Sequence, residues 1–369
     1  MKITCTTPAL LPALRTAVRA VSPRATMPIL GTLLLKAAGS GLRLAATDLE
    51  IGLETSCEAE IAEPGVIALP ARLLAEIIAN LPDGHTQIES SETGATITAG
   101  TTRFDLAGMS TADFPALPEP PGDAGIRLDG ATLLRLIRST AFAVSTDETR
   151  PFLTGALLTI DGHTVRMVAT DGGRLALRSA GLEVPAPTAF AGIVPRRALA
   201  EALRILPGED IARLSWTDTV VFLQAGTTRL SARLLAGTFP PYQGVLDKVR
   251  TPILTLTAAR EPLAAALRRV SITSDQDSNN MVTLAVNGTT LTLSAKTPSV
   301  GSAIEKVAVE AAGGSLAVAF NARFLLDALD PIDAERVRLG LTGATSPAIL
   351  TPADRPEPLC VMAPVRPRD

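Results

Sequence analysis

The chain has 369 residues, more than one hydrophobic core usually supports, so two or three domains are expected. With 46% hydrophobic and 19% charged residues, it has the balance of a well-packed globular protein and not that of a disordered or fibrous chain. A net charge of -3 excludes a uniformly basic surface, although a local cationic face can coexist with it, and an aromatic content of 3% argues against base stacking as a binding mode.

In chain order, the first predicted helix begins near Pro8. Leu11, Leu14, Val18 and Val21 form its apolar stripe, with Arg15 and Arg19 along the border. An alternating strand, "LRLAATD" (42–48), comes next, followed by "LPARLLAEIIANLPDG" from Leu69: an extended lead-in, a helical apolar pattern and a terminating Pro and Gly. There Leu73, Leu74, Ile77 and Leu81 are expected to face inward, leaving Arg72 outside. "AGTTRF" (99–104) then opens a strand, and Phe114-Pro115 precedes the Pro- and Gly-rich "LPEPPGDAG" (117–125).

The same series then recurs. A helix near Ala131 carries Leu133, Leu136 and Ile137 on one side and Arg135 and Arg138 on the other, and "VRMVATD" (165–171) lies 123 residues after its first counterpart. "VPRRALAEALRILPGE" from Val194 follows 125 residues after its counterpart, with Leu199, Leu203 and Leu206 inside and Arg197 and Arg204 outside. "AGTTRL" (225–230) and Phe239-Pro240 stand 126 and 125 residues after their counterparts, ahead of "LDKVRTP" (246–252). A third round has a helix near Pro262 with Leu263, Leu267 and Val270 facing in and Arg268 and Arg269 turned away. It continues with "LTLSAKT" (291–297) and "FNARFLLDALDPID" from Phe320, where Arg323 repeats the outward arginine.

Four segments sharing one offset in one order make the chain three copies of an α+β unit of two helices and antiparallel hairpins. The expected domains are 1–122, 123–250 and 251–369. An arginine face repeated on the helices of a net-negative protein suits sequence-independent contact with phosphates. A single such face would be an ordinary solvated one.

The residues for a reaction are sparse. His85 and His163 each sit beside a glycine in a turn-like stretch, no phosphate-cradling glycine loop or nucleophile elbow is present, and no cofactor or metal is expected. Asp48 and Asp171 close the two "ATD" segments. They could hold a metal, but recurrence at one point of two repeats fits a turn or strand cap better. Cys5, Cys57 and Cys360 lack metal-type spacing and suit a reducing compartment. Pro8, Pro12 and Arg15 interrupt any leader-like stretch, and no run of 18 apolar residues occurs, so a cytoplasmic location is expected. A protein-only repeat scaffold and an enzyme using Asp48 or Asp171 with a metal are the rival readings.

Several longer stretches resemble the bacterial sliding clamp family, the beta subunit of DNA polymerase III. They are "MPILGTLLLKA" with "ATDLE", "VSTDETRPFLTGALL", "VATDGGRLAL", "IVPRRALAEA", "GTFPPYQGVL", "FNARFLLDAL" and "VMAPVR", and the resemblance runs from Met1 to Arg366. It implies that two chains join head to tail into a closed six-domain ring whose helices line the hole, so that the ring encircles duplex DNA and tethers DNA polymerase III. The implied partners are the polymerase alpha subunit, the clamp loader, and other polymerases and repair proteins carrying clamp-binding peptides. The implied client pocket comprises Leu153, Thr170, Gly172, Arg174, Leu175, Pro240, Val245, Asn321, Phe324, Val361, Met362, Pro364, Val365 and Arg366. Leu153, Leu175, Val245, Phe324 and Met362 are expected to line its groove.

For DNA, the resemblance implies Arg24, Arg150, Arg196 and Arg197, to which the helix faces add Arg72, Arg135, Arg138 and Arg204. For the ring joint, Phe104 and Leu106 should meet a partner's Ile272. Gly173 stands where the family motif has histidine, Pro151 and Phe152 stand where two tyrosines are usual, and Gly244 replaces a basic residue. Pro367, Arg368 and Asp369 extend past the family's end. These departures point to a specialised clamp with altered client preference as the alternative.

Overall fold

The computed structural model describes residues 1–22, 27–39, 41–122, 125–274 and 280–365. Three successive stretches carry one element series. The first runs β1 (Lys2–Thr6), α1 (Thr7–Ala17), β2 (Thr32–Ala38), β3 (Gly41–Thr47), β4 (Ile51–Glu58), β5 (Glu60–Glu63), β6 (Gly65–Pro70), α2 (Ala71–Asn80), β7 (His85–Ser90), β8 (Gly94–Ala99) and β9 (Thr102–Ala107). The second runs β10 (Ile126–Asp129), α3 (Gly130–Arg138), β11 (Gly155–Asp161), β12 (Thr164–Thr170), β13 (Arg174–Gly181), β14 (Phe190–Pro195), α4 (Arg196–Ile205), β15 (Ile211–Trp216), β16 (Val220–Ala225) and β17 (Thr228–Arg233), and ends on a short helix, α5 (Gln243–Lys248). The third runs β18 (Leu254–Ala259), α6 (Arg260–Ser271), β19 (Met281–Asn287), β20 (Thr290–Thr297), β21 (Gly301–Ala308), β22 (Glu310–Gly313), β23 (Leu316–Asn321), α7 (Ala322–Leu329), β24 (Arg336–Leu341), β25 (Ala348–Pro352) and β26 (Leu359–Met362).

Local chemistry explains the helix starts. Pro8 lies in the first turn of α1, where its missing N–H costs nothing and its fixed φ suits the helix. At α7, Asn321 Oδ1 accepts from the backbone N–H groups of Arg323 (2.9 Å) and Phe324 (3.4 Å), a side-chain N-cap. The expected stripe of α1 is only partly realised. The α-helix ends at Ala17 and tightens into a 3-10 turn over Val18–Ala20, so Leu10, Ala13, Leu14 and Ala17 are buried while Leu11 and Val18 are half-buried. Leu73 is a second correction, being 49% exposed. Leu74, Ile77 and Ile78 take the inward face of α2, and a residue one position before Leu74 points away from it.

The chain divides into two compact units. One comprises Met1–Leu133 with Arg197–Leu234, and the other Leu134–Arg196 with Leu235–Asp369. In the first, a five-stranded sheet has the order β5-β1-β7-β8-β9, and an eight-stranded sheet has the order β10-β15-β16-β17-β4-β3-β2-β6. In the second, a nine-stranded sheet has the order β14-β11-β12-β13-β26-β25-β24-β18-β22, and a four-stranded sheet has the order β21-β20-β19-β23. Two of these sheets join strands from different repeats through antiparallel edges: β17 on β4 in the first unit, and β26 on β13 in the second. The duplicated AGTTR forms the hairpin turns before β9 and β17, with Gly100 and Gly226 at φ +59 and +52, where a side chain would be strained.

Candidate functional site

The two "ATD" turns have one geometry. Asp171 Oδ1 accepts from Gly173 N and Arg174 N, both at 2.9 Å, while Thr170 Oγ1 accepts from Gly172 N (3.1 Å) and donates to Arg174 O (2.6 Å). In the first unit, Asp48 Oδ1 accepts from Glu50 N (3.1 Å) and Ile51 N (2.9 Å), while Thr47 Oγ1 accepts from Leu49 N (3.0 Å) and donates to Ile51 O (2.8 Å). Each carboxylate also meets an arginine, Arg174 Nε with Asp171 (3.0 Å) and Arg197 with Asp48. Both aspartates are committed to a turn and an ion pair, as the strand-cap reading expects.

In the second unit, β13 and β26 bring much of the implied pocket together. Arg174 lies opposite Met362, and Leu175 opposite Val361. Leu175 and Val361 share one apolar cluster with Leu177, Ile193, Phe239 and Val249, against which Val245, Leu246, Ile349 and Leu359 are packed. Pro240 adjoins this cluster beside Phe239 and is half-buried. Val365 N donates to Ala319 O (2.8 Å) and Ala363 N to Gly173 O (2.9 Å), tethering the segment that carries the half-buried Pro364.

Arg174 is enclosed. Its guanidinium lies 4.3 Å from the ring centre of Phe324 and 5.3 Å from that of Phe142. Beyond Asp171, Nη1 reaches Asp327 (2.6 Å) and Nη2 donates to Phe142 O (2.6 Å), leaving the side chain 10% exposed. Phe142 and Asp327 were not among the expected site residues, and only their meeting with Arg174 in space could have named them. Gly172 sits at φ +94, where glycine is favoured, and a Cβ at Gly173 would lie 3.1 Å from Phe324 Cε2, a tight contact that a small shift of the ring would relieve.

Four of the implied groove and pocket residues, Leu153, Leu175, Val361 and Met362, are deeply buried. Met362 is 0% exposed and belongs to the core built by β18, α6 and α7, Leu153 ends a short 3-10 turn before β11, and Leu175 and Val361 lie in the smaller apolar cluster. Asn321 spends its side-chain oxygen on the α7 cap. Leu177, Tyr242, Leu246, Ile349 and Leu359 are apolar neighbours that the sequence reading missed. The i, i+2 spacing of Leu175 and Leu177 on one strand face could have found the first. Arg366 lies outside the described residues.

Among the basic residues, Arg72, Arg135, Arg138, Arg150, Arg196 and Arg204 are exposed, and Arg24 lies outside the described residues. Arg150 Nε pairs with Asp147 (2.9 Å). Buried Glu201 pairs with both Arg204 (2.5 Å) and Arg19 (2.7 Å). Arg197 departs from the solvated face expected of it. It is partly buried, pairs with Asp48, and donates to Arg19 O (3.0 Å), and burial lowers its pKa, against the opposing pull of Glu201. Burial likewise pushes the Cys5 and Cys360 thiols up to about 12 and Cys57 to about 11, so none is an activated thiolate.

At the outer edges, β9 closes the five-stranded sheet and β21 the four-stranded one. Phe104 on β9 is 38% exposed and Ile272, just past α6, is 75% exposed. Leu106 is a correction. It shares the face of Phe104 but is buried within its own unit. Ile304 on β21, which the sequence reading passed over, is 72% exposed.

Family models for the N-terminal, central and C-terminal domains of the DNA polymerase III beta subunit match residues 1–118, 127–241 and 252–366. The chain belongs to the DNA polymerase III beta subunit family. It is a DNA sliding clamp. The beta sliding clamp of Synechocystis sp. is 34% identical over 99% of both chains, and that of Caulobacter vibrioides is 36% identical over 99% of this chain and 100% of the relative. A crystal structure of the Pseudomonas aeruginosa clamp bound to griselimycin superimposes with a TM-score of 0.94 at 34% identity, covering 100% of both chains. That of the Bacillus subtilis clamp gives 0.95 at 28% identity, also over 100% of both. In this clamp, among the described residues, no helix is long and apolar enough to cross a membrane.

Proposed function

We propose that two copies of this clamp close a ring around duplex DNA by pairing β9 of each copy with β21 of the other, and that the ring acts as a non-catalytic tether. The observation that carries this is strand order. The series β14-β11-β12-β13 meets β26-β25-β24-β18-β22 within one sheet. The four-stranded β23-β19-β20-β21 and the five-stranded β9-β8-β7-β1-β5 are the same two halves left unjoined. Joining them across two chains would reproduce the nine-stranded arrangement and remove both exposed edges. Exposed Phe104, Ile304 and Ile272 are the apolar contacts of this joint, and buried Leu106 lies on the same face of β9 as Phe104.

The repeats 1–122, 123–250 and 251–369 serve as its domains. Arg72, Arg135, Arg138, Arg150, Arg196 and Arg204 supply mobile phosphate contacts, while Arg197 holds α4 to Asp48. Client peptides place their apolar anchors against Leu175, Val361, Val245, Pro240 and the rim formed by Phe324, Pro364 and Val365.

The joint is tested by Ile304→Glu, which places a charge on the pairing edge. Light scattering after size exclusion should give twice the 38.3 kDa chain mass for the native protein and one chain mass for the variant. The dimer constant should weaken at least about 30-fold, as for a hot-spot loss. A variant that stays dimeric at micromolar concentration places the joint elsewhere.

A further inference from the structure

Beside the proposed pocket, in the same unit, lies a cleft of about 500 Å³. Its wall is shared with the pocket: Leu246, Val249, Ile349 and Leu359 line the cleft and also belong to the apolar cluster of Leu175, Val245 and Val361. Its lining also includes Thr255, Thr351 and two exposed cations, Arg250 and Arg338. Arg338 Nη2 donates to Ala353 O (2.8 Å), a neutral acceptor that does not offset the guanidinium charge. Arg250 meets Asp247 (3.1 Å) across open solvent, where such a pair is weak and readily exchanged. The cleft therefore combines an apolar wall shared with the pocket and two exposed cations.

We propose that this cleft receives acidic residues flanking the apolar anchor of a client peptide, with Arg250 and Arg338 as the specificity-determining cations. The proposal rests on the pocket reading above. Val361 and Val245 share one apolar cluster with Leu246, Leu359 and Ile349, so an extended peptide seated on the first two continues onto the others. A carboxylate beyond the anchor then exchanges with Asp247 for Arg250 or pairs with Arg338. An uncharged extension gains only apolar contact there. Clients with acidic flanks are thereby favoured over clients with neutral or basic flanks, most strongly at low salt.

The test uses full-length protein and a fluorescent peptide copied from the clamp-binding segment of the cognate polymerase alpha subunit, extended at either end by Glu-Glu or Gln-Gln. At one end the Glu-Glu form should bind about fivefold tighter than the Gln-Gln form, the scale of one or two exposed ion pairs. The advantage should vanish in Arg250→Gln/Arg338→Gln while the unextended peptide binds as before. Equal affinity of the two forms at both ends, or an advantage that survives in the double variant, overturns the proposal. Val245→Asp separates the two readings: if the unextended peptide ignores it, the pocket is misplaced, and the Glu against Gln comparison still judges the cleft.

Discussion

Arg174 shows how a single side chain can tie several elements of its unit together. Its guanidinium is sandwiched by Phe142 and Phe324 and bonded to Asp171, Asp327 and a carbonyl, so it serves as a pin between β13, α7 and the turn before β13. Gly173 packs beside the Phe324 ring, where a Cβ would lie 3.1 Å from Cε2. Arg174→Ala should lower the urea stability of the protein by about 3 kcal/mol, the usual loss when a buried charge network loses one sign. Arg174→Lys should recover about half of that, since an ammonium carries the charge but not the planar fork or the stack. Equal stability of native and alanine proteins would show that the pin bears no load. At this scale the sequence was a partial guide. It marked Asp48 and Asp171 as turn residues, because their Asx chemistry is local. It could not foresee Arg197 on Asp48, 149 positions away in the chain, or Met362 turned into the core, because both depend on tertiary packing.

Elements were the most legible level, because helix and strand periodicity and the repeat offset are properties of short segments. Helices near Pro8, Ala131 and Pro262 appear as α1, α3 and α6, and AGTTR proves to be a hairpin turn used twice. What periodicity cannot convey is which strand edges meet. The joints β17 on β4 and β26 on β13 link different repeats, and only their recurrence in the fold makes the unjoined β9 and β21 conspicuous. If those two edges pair between copies, their amides should exchange with deuterium at least about tenfold more slowly in the native protein than in Ile304→Glu at equal concentration, since strand amides exchange only when the ladder opens. Equal rates in β9 and β21, with the remaining strands unchanged, would deny the joint.

For the whole molecule, the balance of charge matters more than its sum. Two of the arginines proposed to meet phosphates carry nearby carboxylate partners: Glu201 for Arg204 and Asp147 for Arg150. Such pairing holds the grip on DNA below what the arginine count implies, which suits a ring that must move along the duplex while remaining around it. The retention of such a ring is topological, so it should depend on the ends of the DNA and not on its sequence. The most direct measurement loads the protein onto nicked circular DNA with a clamp loader, isolates the complex by gel filtration, and then linearises the circle with a single-cutting nuclease. Encirclement predicts that the protein stays with the circle and is lost once ends are made. Equal retention on circular and linear DNA would contradict it.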